Sequence, residues 1–281
     1  PEVWKKANPS FGITLNERDF EQAAKEAEAS PAKLNSFKRY RLNIWTEQAD
    51  RWLSADSWAK CSEVTDPVSW RASTINELAG QICWAGIDLG SVSDLTALAI
   101  YFPDGNIILP WFWCPEDALK SKDPDLRAQY SMWANNGFLT LTPGNVCDYD
   151  RVRADVNSIF QNYDLRDIAI DRLFQGAQLS TQLQEDGFEV FAFGQGFASM
   201  AAPAKEFEER VLSGKFEHGN NPILNWMASN VSVVTDPAGN MKPCKPERGS
   251  PYKIDGIIAT IMALGRAMTQ IEDFDGGITI V

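Results

Sequence analysis

The pattern of apolar and polar positions changes character near residue 80 of the 281-residue chain. From Cys83 to Phe102 the run CWAGIDLGSVSDLTALAIYF reads as an apolar strand ending at Asp88, a Gly/Ser turn, and a second apolar strand. Two β-rich runs joined by Gly90-Ser91-Val92-Ser93-Asp94 predict a hairpin. Strands are expected over residues 83–89, 95–102 and 106–114, with turns at 90–94 and 103–105. A helix near 123–136, a short strand at 138–141 and a helix from about 149 to 163 follow. Next come a strand at 167–171, a helix at 175–185, a strand at 188–193, and a helix at 203–212 stopped by Gly214. Strands in a meander, then strands separated by helices, imply an α/β unit with a mixed sheet and helices on its faces.

The first 80 residues read differently. Residues 1–15 show no period and look like a connecting strip. Residues 16–30 have helical patterning, and Ser30-Pro31 supplies a cap and a first-turn proline for another helix running to about Trp45. Trp45, Trp52, Trp58 and Trp70 are scattered through a polar segment that needs a surface to pack against, either the main unit or a missing neighbour. The expected organisation is a helical linker over 1–80 followed by a main domain over 81–281. Its last helix, expected at 252–268, gathers Ile254, Ile257, Ile258, Ile261, Leu264 and Met268 into one stripe with Asp255 at the edge. Asp255 can reach a site at the rim of the sheet, or it can merely complement the helix macrodipole.

An apolar content of 44% excludes a disordered polypeptide. No uninterrupted apolar run reaches the roughly 18 residues of a membrane span, and the start lacks a charged-then-apolar leader pattern, so a folded cytoplasmic protein is expected. The five cysteines, Cys61, Cys83, Cys114, Cys147 and Cys244, make neither a metal knuckle nor a disulfide framework and are expected as reduced thiols. The formal charge of −12 argues against a generic nucleic-acid binder. That acidity is concentrated in residues 81–281, with 15 basic against 26 acidic residues, and divalent metal on several carboxylates would cancel part of it.

Candidate chemistry starts from Asp88, because a carboxylate inside an apolar strand needs something positive to meet it. Asp171 closes the run DIAID, and Asp255 opens the last helix; the three can converge at the sheet rim, where α/β proteins place their sites. Oxygen-only ligands suit Mg²⁺ or Mn²⁺, and two such ions about 3.5–4 Å apart can clamp the attacking water and the leaving oxygen of a phosphodiester. Asp94, across the turn, either leans toward the same metals or serves ordinary turn chemistry. Lys242, Lys245, Arg248 and Lys253 stand against one acid, Glu247, just before Asp255; this basic loop either holds a phosphate backbone or is solvated. The single histidine, His218, is given no catalytic role, and Asp148, Asp150 and Glu185 read as caps or solvated positions. Gly194-Gln195-Gly196 does not complete a dinucleotide loop, and the only Gly-Lys pair, Gly214-Lys215, does not form a GxxxxGK[ST] phosphate loop.

Four stretches carry a resemblance: GIDLGSVSDLTALAI (residues 86–100), IAIDRLFQ (168–175), GKFEHGNNPILNWMASNV (214–231) and KIDGIIATIMALGRA (253–267). In order and spacing they resemble the C-terminal nuclease part of the large terminase subunit of tailed bacteriophages. That resemblance implies a ribonuclease H-like fold of the retroviral integrase superfamily, and two-metal cutting of concatemeric viral double-stranded DNA during packaging. Matched motif to motif, it implies Asp88, Asp171 and Asp255 as catalytic metal ligands for two Mg²⁺ or Mn²⁺ ions, with Asp94 as a further candidate ligand. One ion between Asp88 and Asp171 would activate water, one on Asp88 and Asp255 would stabilise the departing 3′ oxygen, and Lys245 or its neighbours would position the phosphate. It also implies a full-length protein with an N-terminal ATPase domain, of which residues 1–80 would be the tail and the connector to the nuclease, and a small terminase subunit and portal as partners in the host cytoplasm. The chain alone would then cut but not translocate DNA. Two alternatives stand beside this reading. IDLGSVSDLTALAI also resembles the first phosphate loop of actin and sugar-kinase ATPases, and a non-catalytic docking module of the motor would bind no metal.

Overall fold

A computed structural model describes residues 2–13, 15–28, 37–38, 40–44, 52–90, 95–120, 123–171, 175–246 and 252–275. Its six-stranded sheet is laid down as the apolar runs suggest. β1 (Ile82–Asp88), β2 (Thr96–Phe102) and β3 (Ile107–Pro115) form an antiparallel meander. β4 (Thr140–Thr142) joins β3 in parallel, β5 (Asp164–Asp171) joins β1 in parallel, and β6 (Val190–Phe193) joins β5 in parallel. The order is β4-β3-β2-β1-β5-β6, so β1 is central and β1, β5 and β6 end at the same rim. Observed strand ends lie within a few residues of those expected. The turn at 91–94 lies outside the described residues.

The two faces of the sheet differ in side-chain size. Cys83, Ala85, Ile87, Leu98, Ile100, Ile168 and Ile170 point to one core. They meet Val152 and Val156 of α7 (Tyr149–Ile159), Leu179 and Leu183 of α8 (Gln175–Glu185), and Leu78 beside α4 (Pro67–Glu77). The alternate positions include Gly86, Ala97, Ala99 and Ala169, which leave a shallow surface. Onto it the long α11 (Asp255–Asp275) docks across β1, β2 and β5, covered in turn by α9 (Phe197–Leu212) and α10 (Pro222–Asn230). The single stripe read from sequence is therefore too narrow: Ala259, Met262 and Ala263 are buried as fully as Ile257 and Ile261, because α11 has neighbours on both sides.

One helix boundary corrects the expectation. Pro203 does not open its helix; it lies inside α9, which begins at Phe197 with Gly196 at the cap. Proline removes one helical hydrogen bond, but here its ring fills space against α11, where a Cβ on Gly265 would meet Pro203 Cβ and Cγ at 3.2 Å. The other end is as expected. Gly214 takes φ +64°, its N–H bonds Val211 O at 3.1 Å, and the Lys215 N–H bonds Arg210 O at 2.9 Å, a glycine-dependent helix stop.

Residues 52–80 pack on this unit through the scattered tryptophans. Trp52 is 2% exposed and donates its indole N–H to Glu208 Oε1 at 2.8 Å. Trp58, from α3 (Ala55–Ala59), donates to Asn225 Oδ1 at 2.8 Å. Gly219, with φ +61°, lies so close to Trp70 that a Cβ would sit 2.0 Å from its ring. Trp45 lies outside the described residues. Farther upstream, Phe20 and Ala27 of α2 (Glu17–Glu28) form a separate cluster with Phe11 and Phe37, and Trp4 of α1 (Glu2–Ala7) packs against it. Of the helix expected at 31–45, residues 37–38 and 40–42 are helical and the others lie outside the described residues.

Between β3 and β4, α5 (Glu116–Lys120) and α6 (Pro124–Asn135) bury Tyr130 and Trp133. After α10 a small antiparallel hairpin, β7 (Ser232–Thr235) and β8 (Met241–Cys244), rests on α9. None of the five cysteines is in a disulfide, and four of them are buried. No helix among the described residues is long and apolar enough to cross a membrane.

Candidate functional site

The parallel pairing of β1 and β5 places two carboxylates side by side. The register runs Gly86↔Ala169 and Ile87↔Ile170, and the next residue on each strand is Asp88 and Asp171. Both alternate onto the face that carries α11. The third acid arrives from that helix. Gly86 lets the backbone of α11 touch β1 at Ala259, and one helical turn back from Ala259 is Asp255, just as Asp88 is two residues on from Gly86. Asp255 is 6% exposed and stands at the helix N-terminus, whose positive end favours a carboxylate.

The electrostatics record this convergence. Asp88 is half-buried at the sheet rim, and its pKa is pushed well above the ordinary carboxylate value. Burial is the largest cause, the Asp255 carboxylate adds to it, and Asp171 adds less; an amide N–H from Gln195 and the charge of Lys245 act the other way. Among the described residues, no group of three or more carboxylate, imidazole or thiol side chains already stands at the spacing to hold an ion. The donor set, three carboxylates from three elements with no sulfur or imidazole among them, fits a hard divalent cation such as Mg²⁺ or Mn²⁺.

The basic residues flank this rim unequally. Lys245, just past β8, lies close enough to Asp88 to lower its pKa. Lys242 is in strand β8 rather than in a loop; its Nζ lies 3.4 Å from Gln195 O and 5.3 Å from the ring centre of Phe197. The backbone carbonyl of Lys253 accepts from Asn230 Nδ2 at 3.4 Å, which fixes the approach to α11. Asp94 and Arg248 lie outside the described residues. The flanks of the Asp94 turn are anchored, with Gly90 N–H on Thr96 Oγ1 at 3.2 Å and Tyr149 O–H on Gly90 O at 2.8 Å.

One residue at the site escaped the sequence reading. Gln195 donates from Nε2 to Asp88 Oδ1 at 2.8 Å. The signal was topological: Phe193 ends β6 opposite Asp171, so Gln195 emerges at the rim where the parallel strands finish. His218 is elsewhere and structural. It is 1% exposed, stacks on Trp58 with ring centres 4.3 Å apart, and lies 3.2 Å from Trp58 O through Nε2. Asp148 caps α7 by accepting from Arg151 N–H at 3.1 Å.

Comparison with known proteins gives this arrangement a family. A sequence profile described as the terminase large subunit, endonuclease domain, matches residues 1–271. The large terminase subunit of Enterobacteria phage HK97 is 32% identical over 282 aligned positions, covering 98% of this chain and 53% of that protein. Protein YmfN of Escherichia coli (strain K12) is 30% identical, covering 95% of this chain and 60% of that one. The crystal structure of the HK97 bacteriophage large terminase superposes with a TM-score of 0.66 over 94% of this chain and 53% of its own. The chain thus spans little more than half the length of the curated relatives it matches, and its mixed sheet with flanking helices is a ribonuclease H-like fold. By profile, relatives and fold together, the chain belongs to the endonuclease-domain family of terminase large subunits.

Proposed function

We propose that the chain is a divalent-metal-dependent DNA endonuclease that cuts concatemeric viral double-stranded DNA during genome packaging. The observation that carries this reading is the electrostatic meeting of Asp88 with Asp255 and Asp171 at one sheet rim, beside Lys245. Asp88 would be shared between two ions, with Asp171 completing one pocket and Asp255 the other. When bound, magnesium or manganese makes water a better nucleophile and offsets charge on the leaving 3′ oxygen. Lys245, with Lys242 beside it on the hairpin, would draw in the phosphate and hold it toward the three acids. Water adds to phosphorus, the P–O3′ bond breaks, and the proton passes to the 3′ oxygen, leaving 5′-phosphate and 3′-hydroxyl ends. Asp94 and the basic residues Arg248 and Lys253 are candidates for further contacts at the same rim.

In the whole protein this unit would follow an N-terminal ATPase domain, with residues 1–80 as the connector and 81–281 as the nuclease. A small terminase subunit and a portal would be its partners in the host cytoplasm. The test is supercoiled plasmid with Mn²⁺ or Mg²⁺, with and without chelator, for the chain and for Asp88→Ala, Asp171→Ala and Asp255→Ala. Chelator-sensitive nicking lost in all three variants supports the assignment; metal-independent cutting, or full activity in the variants, removes it.

A further inference from the structure

We propose that Gln195 is a positioning residue for metal: it holds Oδ1 of Asp88 through an amide N–H and leaves Oδ2 to the ions. The inference rests on the nuclease reading and adds to it a residue outside the three acids. Its first support is the contact itself, Nε2 to Asp88 Oδ1 at 2.8 Å across 107 residues of sequence.

The second support is how Gln195 is held. It occupies the short crossing from β6 to α9, two residues past Phe193 and just before the Gly196 cap. Its backbone carbonyl lies 3.4 Å from Lys242 Nζ of the hairpin, and its amide nitrogen lies 3.9 Å from Met262 Sδ on α11. The hairpin thus holds the backbone of Gln195 while strand β1 and helix α11 meet its side-chain amide.

The third support is the chemistry of the donor. Asp88 faces two other carboxylates, and a carboxylate among like charges turns away from them unless something pins it. An arginine or lysine at position 195 would pin it, but its full charge would fill the deficit that a divalent ion must fill and would repel that ion. A neutral amide fixes orientation without competing for the charge. Partners of this kind around metal ligands typically change affinity about 10- to 100-fold when removed.

Manganese titration calorimetry on the full chain tests this without any activity assay. Gln195→Ala and Gln195→Met are compared with wild type; methionine keeps the length and can still pack on Met262 but has no N–H. The expected result is a Kd for Mn²⁺ raised about 10- to 100-fold in both variants, with thermal unfolding in chelator confirming that Gln195→Met is folded. Wild-type affinity in Gln195→Met would reduce the residue to a packing role and overturn the proposal, as would tighter binding in either variant. Absence of Mn²⁺ binding by the wild type is a different result, which strikes the nuclease reading itself.

Discussion

A Cβ added to Gly86 would stand 2.0 Å from the carbonyl oxygen of Ala259. Strand β1 and helix α11 therefore touch backbone to backbone, a contact open only to glycine on the strand. This closeness brings Asp255 to Asp88, since each lies a short step along its own element from that point of contact.

Gly86→Ala is accordingly expected to push α11 off the sheet. Overpacking of this kind typically costs about 1–3 kcal/mol, and each kcal/mol lowers the Tm of a chain this size by about 2–4 °C. Mn²⁺ affinity should fall with it, because the helix carries Asp255 away. Differential scanning calorimetry and Mn²⁺ titration read the two effects, and unchanged metal binding would break the link drawn between the glycine and the site.

Asp88→Asn should do opposite things to stability and function. In metal-free protein the raised pKa of Asp88 has burial as its main cause and Asp255 next. A carboxylate raised on folding contributes stability below its unfolded pKa, near 3.9, that is lost as pH rises through the folded value. The neutral amide escapes this loss. In chelator at pH 7.5 the variant should melt higher than wild type, by about 2–4 °C if the relief is about 1 kcal/mol, while plasmid nicking disappears. Saturating Mn²⁺ should reverse the order, as binding to the native state stabilises wild type alone.

His218 should set an acid limit on stability. Its Nε2 faces the carbonyl oxygen of Trp58, so that nitrogen carries the proton, and the buried Nδ1 has no hydrogen-bond partner. Burial is the main reason its pKa is lowered. Stability is then complete above the unfolded imidazole value, near 6.5, and is lost as pH falls below it toward the folded value. Urea unfolding at pH 7.5 and 5.0 should show this loss in wild type and a flatter response in His218→Phe, whatever the variant's absolute stability.

Trp52 should anchor residues 52–80 to the sheet unit. It packs on Phe207 with ring centres 5.6 Å apart as well as bonding Glu208. Trp52→Ala is expected to lose about 3–5 kcal/mol. Trp52→Phe, which keeps a ring but strands the half-buried Glu208 carboxylate, should lose about 1–3 kcal/mol. Equal, negligible losses in denaturant unfolding would mean that residues 52–80 are not integral to the nuclease unit.

Much of the architecture was legible in the chain because it is local. Short, continuously apolar runs bounded by turn residues marked the strands through 83–102 and 167–171, Gly214 marked the end of α9, and the isoleucines of 254–261 marked the buried helix. Where local rules failed, tertiary contact had replaced them. Pro203 reads as a helix start, yet it lies within α9 because packing against Gly265 accommodates the ring.

The same division runs through the site. Taken alone, the amino-acid sequence determined that Asp88, Asp171 and Asp255 sit at the ends of apolar elements, where an unmatched carboxylate is costly enough to mark itself. Which of them meet, and what orients them, depended on the folded chain: parallel pairing of β1 with β5, the Gly86 to Ala259 contact, and the arrival of Gln195 from 107 residues away. Periodicity reports how one element divides water from core, whereas proximity across the sheet is settled by strand order and helix docking, which no stretch of sequence contains by itself.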